Sequence, residues 1–177
     1  MQKYVSILEH PLNKELFNEP KNEEIKPIGG LWACKLMEFG DTRYKSNWDV
    51  YIDDILLRDT NGYFYNYFTI SENAKVYRCE IWTEALKFVE KYSYPFEGTR
   101  LYILDVEKLK KDGYDAFYIS QSVADKGHVF HYILNDHDQY DYIARTMFYP
   151  YDVDSLFVLN YDIIENIETE KIIRKED

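Results

Sequence analysis

Residues 151–164 read YDVDSLFVLNYDII. At their centre Ser155–Asn160 (SLFVLN) forms the apolar run expected of a strand buried on both faces. Upstream, LYILDV (101–106) reads as a strand. VEKLKKDG (106–113) follows as a short helix closed by Gly113 at its C-cap. Tyr114–Ser120 then enters another strand. Residues 121–150 show no regular period and hold three of the four histidines, so they read as irregular chain.

Further toward the amino terminus, Thr83 is predicted to cap a helix over 84–92. YFYNYFTI (63–70) and KVYRCEIW (75–82) are rich in rings and β-branched residues and read as strands, preceded by the turn signal Asn61-Gly62. Ser46 suits an N-cap. Trp48, Ile52, Ile55 and Leu56 behind it recur at the spacing of one helical face. Gly29-Gly30 opens the strand LWACKLM, residues 12–27 read as a surface loop with one helical turn, and KYVSILE (3–9) is a strand ended by His10-Pro11. The sum is an α+β domain with a mixed, mostly antiparallel β core and two or three helices, spanning 1–167, with a charged tail over 168–177.

At 177 residues the chain fits one domain. No run of apolar residues is long enough to span a membrane, and no basic start leads into an apolar stretch, so a cytoplasmic setting in a bacterium or a phage-infected host is expected. Cys34 and Cys79 are too few for a disulfide scaffold and read as free buried thiols. The net charge of −11 opposes binding to nucleic acid. It suits either simple solubility or contact with a basic protein. Eighteen tyrosines supply rings for core edges or for a recognition surface.

Three segments can carry chemistry. In Lys26–Cys34 (KPIGGLWAC), paired glycines let backbone approach a ligand and Trp32 offers a flat face; the alternative is a tight turn beside a core tryptophan. Ser46-Asn47-Trp48 is either an anion site at a helix start or a plain cap with an anchoring ring. In Tyr151–Ser155 the acids stand at the mouth of a buried strand. There they can hold a hydroxyl or steady a cation, or they simply cap and solubilise the loop. His128 and His131, with Asp136, His137, Asp138 and Asp141 following, suggest metal ligands. The stretch lacks helical character, exposed loop histidines are the simpler account, and no metal is expected.

The order of these pieces resembles the ADP-ribosyltransferase fold. Lys110–Ala116 (KKDGYDA) is similar to the family's "GYDGI/V" strand. Ser155–Ile164 is similar to its closing "E-x-VVFNPDQI"-like strand, and Gly30-Leu31-Trp32 to the "GLY" strand lining the nicotinamide pocket. The resemblance implies NAD as ADP-ribose donor, an oxocarbenium-like transition state and a macromolecular acceptor, protein or nucleic acid, as for a bacterial or phage effector or toxin. It places the catalytic acid near Asp154, with Ser155 beside it. It implies cofactor contacts from His10, Gly30, Trp32, Ser46 and Trp48. Asp is shorter than the family's Glu. Two rival expectations stand beside this one. The first is a non-catalytic acidic inhibitor, of the kind phages use against a basic nucleic-acid-binding defence protein such as a CRISPR effector. The second is an RNA-cleaving protein using His128, His131, Lys126 and Arg145.

Overall fold

The computed structural model describes residues 2–37, 44–128 and 139–173. Its main sheet contains β1 (Lys3–Leu8), β2 (Leu31–Lys35), β3 (Phe64–Ile70), β4 (Val76–Cys79), β7 (Ala116–Ile119), β8 (Ser155–Val158) and β9 (Ile164–Lys171), in the order β4-β7-β8-β2-β1-β3-β9. Only β4 and β7 run parallel; the other neighbours are antiparallel. A separate ribbon pairs β5 (Ser93–Pro95) with β6 (Tyr102–Leu104). The fold is α+β.

The apolar run at 155–158 is the centre of the sheet. All four residues of β8 are buried. Alternation sends Phe157 to one face with Phe117 and Ile119, and sends Leu156 and Val158 to the other with Ala116 and Tyr118. The first face is covered by α2 (Trp82–Tyr92), α3 (Val106–Lys111), α4 (Gln121–His128) and α5 (Gln139–Phe148). Phe88 of α2 stacks on Phe117 with ring centres 4.4 Å apart and planes at 10°. The second face is closed by Tyr4, Phe68 and Ile163, with Leu12 and Phe17 of the loop after β1 packed against them.

Several sequence expectations need correction. Residues 121–150 are not irregular throughout: α4 and α5 lie within them, because Val123, Ala124, Ile143, Ala144, Met147 and Phe148 bury a common face that outweighs weak helical propensity. The helix count rises to five among the described residues. Thr83 is not a cap. Helix α2 begins at Trp82, and the Glu84 carboxylate accepts the Glu80 and Ile81 amides at 2.8 and 3.2 Å. The domain does not stop at 167. Strand β9 pairs with β3 through Lys171, and Ile172 is buried, its N–H donating to the Tyr63 carbonyl at 2.7 Å. Both thiols are buried as expected, and burial pushes them up; the Asp154 charge adds to the shift of Cys34.

Candidate functional site

The sheet parts between β1 and β2. These strands pair at Tyr4 with Lys35 and Val5 with Cys34, while Leu31–Ala33 pair with β8 and Ser6–Leu8 with β3. A pocket of ≈ 390 Å³ sits where they diverge. Its lining includes Ser6–Leu8, Lys26, Gly30–Cys34, Trp48, Val153 and Ser155. Gly30, Trp32, Trp48 and Ser155, named from three distant segments, thus share one cavity.

Each wall has a local cause. Gly30 sits at φ +59°, and a Cβ there would lie 2.5 Å from the Phe157 ring and 2.7 Å from the Val158 carbonyl oxygen. Backbone therefore approaches β8 as only glycine permits. Gly30→Ala is expected to cost roughly 2–4 kcal/mol through left-handed strain and overpacking, read as a lower urea midpoint. Wild-type stability in that variant would contradict the account. Trp32 stacks on Phe157, ring centres 4.2 Å apart, and its indole N–H donates to the Pro27 carbonyl at 3.3 Å. The second tryptophan is carried by α1 (Asn47–Val50), which Ser46 caps by accepting the Asp49 amide at 3.2 Å. The chain then widens into a π-helical turn over Tyr51–Ile55. The extra residue in that turn breaks the expected apolar face: Ile52 is buried, but Ile55 and Leu56 are exposed.

Ser46 is buried and positions Trp48 without lining the pocket. His10 is exposed, its Nδ1 3.0 Å from the Pro11 carbonyl, and is not among the lining residues. Asp154 is buried beside the pocket, and its carboxylate is engaged. Oδ2 accepts the Lys35 amide at 3.0 Å and Oδ1 accepts the Asn47 side-chain amide at 2.9 Å. Its carbonyl accepts from the Cys34 thiol at 2.9 Å. Asp154 thus ties α1, β2 and β8 together. The Ser155 hydroxyl donates to the Val153 carbonyl at 2.9 Å.

The family resemblance singles out Asp154 and passes over Asp152, two residues earlier among the acids of Tyr151–Ser155. Asp152 is half-buried. It lies 3.6 Å from His128 Nε2. Burial raises the Tyr51 phenol, and a hydrogen bond to Asp152 raises it further. Burial lowers the Lys26 ammonium, with Asp152 opposing that shift. The Lys26 ammonium faces three rings: Trp32 at 5.2 Å, Trp48 at 5.8 Å and Tyr151 at 5.0 Å. Only Trp32, Trp48 and the ring and acids of Tyr151–Ser155 hinted at this group.

Of the histidine-segment residues, His131, Asp136, His137 and Asp138 lie outside the described residues. His128 Nε2 stands 3.2 Å from the Tyr151 carbonyl. Arg145 is buried, paired with Asp141 at 2.6 Å and donating to the Lys126 carbonyl. Lys126 lies over Trp82. Among the described residues no group of three or more His, Cys, Asp or Glu side chains could hold a metal ion, and no helix is long and apolar enough to cross a membrane. No family model, curated protein or solved structure matches the chain.

Proposed function

We propose that this is an ADP-ribosyltransferase-like protein that takes NAD into the cleft between β1 and β2 and modifies a macromolecular target. The observation carrying the reading is the single pocket shared by Gly30, Trp32, Trp48 and Ser155. Two indole faces suit a flat heteroaromatic ring, and the Gly30 backbone can meet a ligand closely. In the proposed step the bond between nicotinamide nitrogen and ribose C1′ breaks, and its electron pair leaves with nicotinamide. Positive charge grows on the ribose. A lone pair of the target bonds to C1′, and the target's proton passes to solvent or a nearby base. A fixed carboxylate would stabilise that charge. Neither acid lines the pocket, but both flank its Val153, and Asp152 takes this role because Asp154 is committed to the Lys35 amide and Asn47. His10, outside the pocket, is given no role.

Incubation with NAD and a cell lysate is expected to release nicotinamide and label a macromolecule. Absence of both products would overturn the reading.

The outer sheet edge favours a second reading, an acidic protein that docks on a basic nucleic-acid-binding partner. β9 lies at that edge, and its Glu165, Glu168 and Glu170 are exposed. Glu168 meets Lys3 at 3.7 Å, and Glu170 accepts from the Tyr67 hydroxyl at 2.8 Å. Such a complex would form at low salt and dissociate at high salt.

A further inference from the structure

The rings around Lys26 form a cage whose walls are braced without the lysine. Trp32 is stacked on Phe157, and Tyr151 packs edge-on against Trp32 (5.5 Å, 62°) and against Phe148 (6.0 Å, 68°). Trp48 stacks on Tyr51 at 5.4 Å and 16°. Lys26 arrives from a different direction. It stands near the end of a loop pinched at its base, where Lys21 and Ile28 exchange two backbone hydrogen bonds of 2.9 and 3.1 Å. The cage walls come from β2, α1 and the chain leading into β8, and the cation within them belongs to a surface loop.

A lysine ammonium is a poor match for such a cage. It is compact and strongly hydrated, and gives up much of its water to enter. Burial disfavours its charged form here, with partial relief from Asp152. A delocalised or alkylated organic cation is more weakly hydrated, gains the same attraction from the ring faces, and loses less on entry. The cage opens onto the pocket, since Lys26, Trp32 and Trp48 all line it.

We propose that the Trp32–Trp48–Tyr151 cage is a binding site for an organic cation of the N-alkylpyridinium class, and that Lys26 is an intramolecular competitor which fills it until such a ligand displaces it. The inference rests on the cleft assigned above to NAD, whose nicotinamide ring is a cation of this class. It adds a regulating contact: the loop lysine keeps the cage closed to small adventitious cations. If the cage is free of lysine in a tenth to a hundredth of molecules, removing the lysine charge tightens cation binding by about tenfold to a hundredfold.

The probe is 1-methylnicotinamide, a pyridinium cation without phosphates, titrated into wild type and Lys26→Met by tryptophan fluorescence. Neutral nicotinamide serves as control. Lys26→Met is expected to bind the cation at least about tenfold more tightly and nicotinamide no more tightly than wild type. Adding Trp48→Ala to that variant is expected to abolish the gain. Equal or weaker cation binding by Lys26→Met overturns the proposal. So does an equal gain for nicotinamide, which would mean that space rather than charge was released. Wild type provides a reading that needs no variant. The Lys26 ε-methylene proton resonance, shifted upfield by the rings, should return to the ordinary lysine position as 1-methylnicotinamide saturates the protein. A resonance that stays in place at saturation overturns the proposal. The two readings separate cleanly. Probe binding with these effects but no nicotinamide release from NAD retains the cage and removes the transferase. NAD turnover with no tightening in Lys26→Met does the reverse.

Discussion

Asp152→Asn is expected to lower NAD turnover by about a hundredfold or more while leaving the unfolding midpoint close to wild type. A preorganised charge facing a developing charge in a site shielded from water is commonly worth that much. The half-buried Asp152 has Tyr51, His128 and Lys26 around it and supports no backbone amide among the hydrogen bonds described above. Asp154→Asn should behave in the opposite way. Its amide group cannot accept from both the Lys35 N–H and Asn47, so one buried group loses its partner, at a cost of about 1–3 kcal/mol. Turnover per folded molecule should change far less. Nicotinamide release and urea unfolding, measured on both variants, decide between the acids. If only Asp154→Asn loses turnover, the roles are exchanged.

Phe88→Ala is expected to destabilise the fold by about 3–5 kcal/mol, the usual cost of deleting a buried phenylalanine ring. Phe88 is fully buried. Its ring stacks on Phe117 and meets the Tyr77 ring edge-on at 4.7 Å, so the lost ring leaves facing surfaces that cannot close. Urea unfolding followed by circular dichroism measures the loss, and a change below about 1 kcal/mol would show that the helical layer relaxes around the void.

The elements most legible in the sequence were those fixed by local chemistry. The SLFVLN run gave the central strand. Gly113 closes α3 as a left-handed C-terminal glycine, while its N-cap Asp105 falls in the stretch expected to be strand. Ser46 caps α1. Helices α4 and α5 were not legible, because their signal lies in contact between them. A Cβ on Gly127 would come within 3.0 Å of the Phe148 backbone, so that glycine, which weakens a helix in isolation, is what lets the two pack. At the site, the tryptophans and glycines stood out as residue types able to hold a ring. Which acid is tied into the fold did not, because Asp152 and Asp154 are two residues apart and similar in sequence. Their difference comes from the amide of Lys35 and the side chain of Asn47, supplied by other parts of the chain.

The place of β8 has a consequence for how the chain acquires its shape. Residues 155–158 insert between β7 and β2, and β2 begins at residue 31. The two halves of the sheet therefore stay unjoined until residues 155–158 have left the ribosome. Until then β2 and β7 present open, apolar edges. Pairing strands this far apart in sequence favours slow folding.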